Sequence, residues 1–303
     1  MPVERPTPDS FVVIDLEGAV RADGVVRWAR KILLDGARWL ARSRTYGWAT
    51  LGEQVSGASA GVSAVPESRD AALAEFDAAP PGETRLGLDA GKGVGWDDLP
   101  SRTAADWRNA VLRTDPAPLR LQLVATGAVA GARAQLGELA DRTVAIEGPA
   151  EVVPVLTGAF TEAGATVLEQ EDTTLAGAAA VGADLLVCGS AVGLVDHQAA
   201  ASLECALVVP WGPMPVTTRA LAVARRRGVE VLPDFVTTVG PLVAAVTDTP
   251  DPELLLRTTT DTVAGVVAEV RDHEQGPLIG ACVRAESFLS TWQDTLPFGR
   301  PIA

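Results

Sequence analysis

The stretch TVAIEGPAEVVPVLTGAFTEAGATVLEQ, residues 143–170, decides the fold. It begins with a short apolar run at residues 143–147, which predicts a β-strand. Apolar residues then recur at helical spacing over residues 152–163, and a second strand is predicted at residues 166–169. A helix that joins two strands in this way returns the chain to the same end of the sheet. The stretch therefore predicts a βαβ unit with parallel strands.

The same alternation of strands and helices continues towards the C-terminus. The predicted strands cover residues 185–188, 206–209 and 229–232. The predicted helices cover residues 175–181, 217–227, 252–270 and 279–293. Gly228 follows the second of these helices, at the position where glycine often ends a helix. Strands that alternate with helices favour an α/β fold with a parallel, Rossmann-like sheet in this half of the chain.

The N-terminal part of the chain predicts a separate α/β region. We expect a strand at residues 11–15 and an amphipathic helix at residues 25–41. Residues 46–62 are rich in Gly, Ser and Ala and predict a strand with a loop, and residues 71–76 predict a short helix. A chain of 303 residues is long enough for two domains, and the segment DPAP at residues 115–118 favours a boundary there.

The composition excludes several classes of function. The chain carries 25 Lys and Arg against 39 Asp and Glu, which gives a net charge of −14 and a pI near 4.6. This charge repels phosphates, so neither nucleic acid nor an anionic membrane is an expected partner. The two histidines and three cysteines show no metal-ligand spacing, and no metal site is expected. Widely spaced cysteines and the absence of a signal pattern predict a soluble, cytoplasmic protein with reduced thiols.

Five short segments follow one another in a characteristic order. They are TYGWA at residues 45–49, SGASAGV at residues 56–62, DAG at residues 89–91, DPAP at residues 115–118, and VLPDF at residues 231–235. In order and spacing the chain resembles the leucine/phenylalanine/valine branch of the glutamate-type amino-acid dehydrogenases. The corresponding motifs of that family are T-Y-K-x-A, G-G-G-K-A-x-I, D-V-G, D-P-S-P and Y-x-P-D-x…N-A-G-G.

The resemblance implies a domain organisation in which each part of the chain has its own role. It implies an N-terminal α/β substrate-type domain at residues 1–118, which also carries the oligomer contacts, and a Rossmann-like domain at residues 119–270. It implies a C-terminal helix within residues 271–303 that packs back, and a cleft between the two domains that holds a small molecule. A homo-oligomer is expected, and a mixed oligomer with an active paralogue is equally compatible.

The chain departs from the family at the positions that handle the substrate. Gly47 stands where the family has a lysine that holds the substrate carboxylate, and Ser59 stands where it has a lysine that acts as a general base. Glycine carries no cation, and a serine hydroxyl is not a base near neutral pH. Asp89 matches the family's catalytic acid, although an aspartate that caps its own turn is the alternative. The chain has two lysines, Lys31 on the predicted helix and Lys92 shortly after Asp89, and neither is an obvious substitute.

The predicted cofactor loop departs from the dinucleotide-binding pattern as well. That pattern needs three glycines: one for the turn, one for close approach of the pyrophosphate and one for packing of the helix. Gly148 matches the first, but the loop continues with Pro149, Ala150, Glu151 and Val153. The carboxylate of Glu151 would lie at the positive end of the helix and repel a pyrophosphate.

Three further positions bear on the cofactor. Glu169 follows the second strand of the βαβ unit, where an acid would hold a ribose hydroxyl. Pro213 and Thr238 stand where the family has asparagines near the nicotinamide. A proline supplies no amide contact and a threonine supplies at most part of one, so this part of the cofactor site is incomplete as well.

These losses favour a divergent, non-catalytic homologue of the amino-acid dehydrogenases. We expect it to act as a binding, regulatory or partner subunit and to hold no cofactor. One alternative is an active NAD(P)-dependent oxidoreductase that deaminates an amino acid or a related metabolite with a rebuilt site. Another is an enzyme that works without a nicotinamide and uses Asp89 as acid and base.

Overall fold

The computed structural model describes residues 1–80, 82–103, 107, 117–296 and 298–303. The chain forms two compact units. The first unit comprises Met1–Asp115 and Glu286–Pro301, and the second comprises Pro116–Ala285 and Ile302–Ala303. The boundary predicted at residues 115–118 falls largely outside the described residues, which resume with a helix at Ala117.

The first unit contains a mixed five-stranded sheet. Its strands are β1 (Val3–Glu4), β2 (Ser10–Ile14), β3 (Arg21–Ala29), β4 (Ser56–Ser63) and β5 (Arg85–Ala90). They lie in the order β1-β2-β4-β3-β5. Strand β3 is parallel to both β4 and β5, whereas β2 is antiparallel to β4 and β1 is antiparallel to β2. One side of this sheet, from β4 through β3 to the edge strand β5, therefore consists of three parallel strands.

Helices cover both faces of the first sheet. They are α1 (Leu34–Thr50), α2 (Arg69–Ala78) and α3 (Pro100–Thr103). Helix α2 contributes Leu73 and Phe76 to an apolar core that also holds Val26, Val62 and Leu88 from the sheet. Helix α1 packs on the opposite face so closely that a Cβ at Gly57 would overlap the backbone of α1. Beneath α1, this face of the sheet therefore has room only for residues with small side chains or none.

The predicted helix at residues 25–41 is wrong. Residues of β3 alternate between the two faces: Ala22 and Val26 enter the apolar core, while Asp23 bonds to side chains of α1. This period of two, with β-branched valines, is that of a strand flanked on both sides by partners. Helix α1 starts only at Leu34 and runs on to Thr50, so residues 46–50 are helical as well. Lys31 lies between β3 and α1 and is exposed.

The C-terminal segment of the first unit is fixed by polar contacts to α1. The division between the units falls within α12 (Pro277–Leu289). The Tyr46 hydroxyl donates to Glu286 Oε1 at 3.1 Å, and Arg300 donates to both carboxylate oxygens of Glu286. Arg42, which also pairs with the buried Asp15, donates to the carbonyl oxygen of Phe298. The first unit is thus assembled from the two ends of the described chain.

The second unit contains a fully parallel five-stranded sheet, as predicted. Its strands are β6 (Thr143–Ile146), β7 (Thr166–Val167), β8 (Leu185–Cys188), β9 (Leu207–Pro210) and β10 (Glu230–Val231). They lie in the order β10-β9-β8-β6-β7. The strand order reverses between β6 and β8, which makes that pair the switch point of the sheet. In open α/β sheets, ligands bind at the carboxyl ends of the strands at this point.

The helices of the second unit connect and cover these strands. They are α4 (Ala117–Leu136), α5 (Val153–Glu162), α6 (Leu175–Ala180), α7 (His197–Ser202), α8 (Thr218–Arg226), α9 (Asp234–Thr237), α10 (Gly240–Val246) and α11 (Pro252–Val270). Helix α11 packs along α4. Among the described residues, no helix combines the length and the apolar character needed to cross a membrane.

Candidate functional site

Two of the predicted substrate positions lie in one row across the first sheet. Ser59 of β4 pairs with Val25 of β3, and Val25 pairs with Asp89 of β5. Neighbouring strands are about 4.8 Å apart, and residues level with each other in parallel strands point to the same face. Gly47, the third substrate position, is buried in α1, which packs on β4. The fold therefore brings Gly47, Ser59 and Asp89 to the same side of the sheet.

Asp89 is held in a buried ion pair. Its carboxylate is 2% exposed, and Arg44 Nη2 of α1 donates to Asp89 Oδ2 at 2.8 Å. Arg44 Nε donates in turn to Asp23 Oδ2, which also accepts from Trp48 Nε1 at 3.1 Å. Burial lowers the pKa of Arg44, and the charge of Asp89 offsets part of that effect. One arginine thus serves two buried carboxylates.

A second arginine lies near Ser59. Arg27 of β3 is half-buried, and its Nη2 atom is 3.4 Å from Ser59 Oγ. Burial lowers the pKa of Arg27 as well. The cations that face this row of residues are therefore arginines, whereas Lys31 and Lys92 are both exposed.

The switch point of the second sheet contains a buried carboxylate of the chain itself. Glu147 follows β6 directly and is 3% exposed. Its Oε2 atom accepts the backbone N–H of Gly189 at 2.9 Å and of Ser190 at 3.2 Å, just beyond β8. The Ser190 hydroxyl donates to Oε1. Amides at the end of β8 thus bind Glu147.

Most backbone N–H groups in the turn after β6 are already hydrogen-bonded to carbonyl oxygens of the chain. Gly148 N–H donates to the carbonyl oxygen of Thr173 at 3.0 Å. At the start of α5, the N–H groups of Val152 and Val153 both donate to the carbonyl oxygen of Pro149, at 3.0 and 3.1 Å. The next residue is Pro154, which has no N–H. Few donors of this helix start remain for an anion.

The remaining loop positions are either packed or exposed. Trp211 donates its ring N–H to the carbonyl oxygen of Glu147 at 2.7 Å, and a Cβ at Gly148 would lie 3.1 Å from the Trp211 ring. Ala150 and Glu151 are exposed, and so is Glu169 beyond the end of β7. The ring of Trp211 therefore covers the one loop glycine that matches the dinucleotide pattern.

Comparison with known proteins places this arrangement in a known fold. No protein-family model and no curated protein matches the chain by sequence. Solved structures do match. L-tryptophan dehydrogenase from Nostoc punctiforme matches with a TM-score of 0.67 and 18% identity, over 93% of this chain and 92% of that one. The chain has the amino-acid dehydrogenase fold.

Two glutamate dehydrogenases share the amino-acid dehydrogenase fold with this chain. The hetero-hexameric enzyme from Thermus thermophilus, in its Leu-bound form, matches with a TM-score of 0.73 and 15% identity over 92% of this chain and 83% of that one. The Plasmodium falciparum enzyme matches with a TM-score of 0.72 and 13% identity over 93% of this chain and 79% of that one. The similarity extends over both units of the chain.

Four residues that shape the site within this fold are not predicted by the sequence patterns. Lysines are the cations that the sequence suggests, whereas the structure places Arg27 beside Ser59 and Arg44 beside Asp89. Arg44 lies three residues before Gly47 on α1, a spacing that places two helical residues on one face. Glu147 is only the last residue of a predicted apolar strand, and no motif includes Gln170, whose side chain bonds both backbone groups of Ile146. A lone acid ending a buried strand is the signal that could have identified Glu147.

Other reactive groups in the chain are poorly placed for chemistry. Within the described residues, no group of three or more His, Cys, Asp and Glu could hold a metal ion. All three cysteines are buried, and within the described residues none of them forms a disulfide bond. Burial raises the pKa of Cys188 well above its usual value and raises that of Cys205 to about 11. Thiols of this kind are inert as nucleophiles near neutral pH.

Proposed function

We propose that the chain is a divergent, non-catalytic homologue of the amino-acid dehydrogenases that acts as a binding, regulatory or partner subunit. The observation that carries this proposal is the Glu147 carboxylate at the switch point of the second sheet. It lies where such sheets bind their ligands, and it accepts hydrogen bonds from Gly189 and Ser190. A fixed negative charge at this point opposes a pyrophosphate.

The residues at the start of α5 do not fit a dinucleotide. Pyrophosphates bind at helix N-termini because unpaired backbone N–H groups point at them. Here the N–H groups of Val152 and Val153 bind the carbonyl oxygen of Pro149. Ala150 and Glu151 add a methyl group and a carboxylate at the loop. We infer that the chain binds neither NAD nor NADP.

The first unit supports the same proposal from the side of the substrate. Gly47 and Ser59 offer neither a cation for a carboxylate nor an amine base. Asp89, the one residue that matches the family's catalytic acid, has an oxygen bonded to Arg44. The chain thus lacks the groups that would bind the cofactor and the groups that would bind the substrate. Hydride transfer between them requires both sets of contacts.

The role of partner subunit draws support from the matched structures. One of them is a hetero-hexameric glutamate dehydrogenase, so a mixed assembly occurs on this fold. We propose that this chain forms a homo-oligomer or a mixed oligomer with an active paralogue, in the cytoplasm, with a small molecule as its ligand.

Thermal unfolding in the presence of NAD or NADP tests the proposal. A ligand at one hundred times its dissociation constant would stabilise the chain by about 2.7 kcal/mol, which is a shift of several degrees. We expect no shift at millimolar concentration. We also expect no absorbance of reduced nicotinamide with Leu, Val, Phe or Glu as substrate. A clear shift or turnover near 1 per second, an ordinary enzyme rate, would instead support an active NAD(P)-dependent oxidoreductase.

A further inference from the structure

A cavity of about 570 Å³ lies beside the N-terminal half of α1, and the described residues that line it all belong to the first unit. The buried pair of Asp15 and Arg42 forms part of its wall. Gly47, Ser59 and Asp89 are not among the lining residues, so the cavity is separate from the row of predicted substrate positions. Its volume falls in the range of about 300–1,000 Å³ that is typical of small-molecule sites.

The apolar part of the cavity wall is aromatic as well as aliphatic. It includes Leu16, Trp39, Leu296 and Phe298. Trp39 is 39% exposed and Phe298 is 98% exposed. The Phe298 backbone is nevertheless fixed, because Arg42 donates to its carbonyl oxygen and a Cβ at the next residue, Gly299, would lie 3.2 Å from the Trp39 ring. Exposed apolar side chains that are rimmed by polar ones mark binding surfaces. The wall therefore predicts a ligand with an apolar body.

The charged side chains of the cavity indicate the charge of that ligand. Among the described lining residues, three carboxylates face two guanidiniums: Asp15, Glu17 and Asp35 against Arg38 and Arg42. Arg42 Nε donates to both oxygens of Asp15, and Arg38 donates to Asp35 at 3.0 Å, so each guanidinium is paired with a carboxylate of the chain. The whole chain carries a net charge of −14, which has the same sign as the excess in the cavity. Both the local and the long-range field therefore favour a cation.

The two aromatic rings favour the same sign of charge. The faces of Trp and Phe rings are negative and attract cations, with Trp the stronger of the two. We propose that this cavity binds an organic ammonium ion with an apolar body, which contacts the rings of Trp39 and Phe298 and has Glu17 as its countercharge. The inference goes beyond the proposed function, because the site uses none of the residues that would handle an amino-acid substrate or a nicotinamide.

Three ligands of nearly the same size and different charge test this site. They are 2-phenylethylammonium, 2-phenylethanol and 3-phenylpropionate, each titrated into the full chain at neutral pH and low ionic strength and followed by calorimetry and ligand-observed NMR. For so few atoms we expect the ammonium ion to bind with a dissociation constant of the order of 1 mM. The alcohol should bind about fivefold more weakly, and the carboxylate more weakly still. Added salt should weaken binding of the ammonium ion and not that of the alcohol.

Substitutions within the cavity locate the site. Trp39→Leu and Phe298→Leu keep an apolar side chain without a ring, and each should weaken binding of the ammonium ion about two- to fivefold. Glu17→Gln keeps the shape without the charge, so it should weaken binding of the ammonium ion and leave that of the alcohol unchanged. Glu67→Gln is the matched control, since it removes an exposed charge of the first unit that does not line the cavity. Because the Phe298 side chain is exposed, Phe298→Leu should unfold at the same temperature as the parent, which separates lost binding from lost folding.

Three results would overturn the inference. The first is no binding of 2-phenylethylammonium by the parent chain, and the second is binding of 3-phenylpropionate that is equal or tighter. The third is a parent dimer in sedimentation experiments that Phe298→Ser dissociates, because it would assign this surface to a second copy of the chain. The NAD experiment probes the second unit, so its outcome is independent of these three. A chain that binds NAD and also prefers the ammonium ion would refute the proposed function and keep this site.

Discussion

The Ser190 hydroxyl donates a hydrogen bond to the Glu147 carboxylate, and this bond connects the ends of two neighbouring strands, β6 and β8. Two backbone N–H groups converge on the same carboxylate. The side chain therefore occupies the switch point and also satisfies donors that would otherwise need a ligand or water. It gives the second unit a stability that is independent of any cofactor.

Glu147→Ala should lower the free energy of unfolding by about 2–3 kcal/mol, because buried donors lose their acceptor. Glu147→Gln keeps one carbonyl oxygen in place and should cost less. Urea denaturation of the three proteins measures both values. A loss below about 0.5 kcal/mol for Glu147→Ala, the range of ordinary surface substitutions, would contradict the role given to this residue.

The ion pairs of Arg44 predict an order of stabilities. Asp89→Asn breaks one buried pair and should cost about 3 kcal/mol. Arg44→Met should cost more, since it leaves both Asp23 and Asp89 without their cation. A double variant, Arg44→Met with Asp89→Asn, should be more stable than the sum of the single losses predicts. Additive losses in this cycle would show that the two side chains do not interact.

Replacement by alanine should have opposite effects at two glycines, one at the contact between α1 and β4 and one away from it. A Cβ at Gly57 would overlap the carbonyl oxygen of Ala41, so Gly57→Ala should displace α1 and cost about 3 kcal/mol or more. Gly36 lies in the first turns of α1 with open space around it. Gly36→Ala should therefore stabilise the chain by about 0.5–1 kcal/mol. Thermal unfolding measures both; a tolerated Gly57→Ala would disprove the close packing.

The cysteines should resist thiol reagents in the folded chain. Cys188 and Cys205 are buried and their pKa values are raised, the second to about 11. Labelling with a disulfide reagent near pH 8 should be slow in buffer and complete in guanidinium chloride. The number of thiols that react before unfolding is the readout, and fast labelling of Cys188 would show that β8 opens readily.

The sequence predicted the second unit well because its signals are local. The apolar periods of residues 143–170 are read within one βαβ unit, and the structure confirms the parallel sheet. The first unit was harder, since β3 lies between two strands that come later in the chain. The valines and arginines of β3 fit the spacing of a helix as well as the alternation of a strand. Only the pairing with β4 and β5 distinguishes the two.

The candidate site shows the same contrast. The resemblance named Gly47, Ser59 and Asp89, and the structure brings them to one face of the first sheet. The roles of Arg27 and Arg44 depend on which strand or helix position lies beside Ser59 and Asp89. That information is in the register of the sheet and not in the spacing of residues along the chain.

The assembly of the first unit from residues 1–115 and 286–301 has a consequence for how the protein is made. During synthesis the N-terminal half leaves the ribosome first, but Tyr46 must wait for Glu286, and Arg42 for the carbonyl oxygen of Phe298. Residues 116–285, which make up the second unit except for Ile302 and Ala303, emerge before that last segment. The second unit can therefore begin to fold before residues 286–301 arrive and complete the first unit.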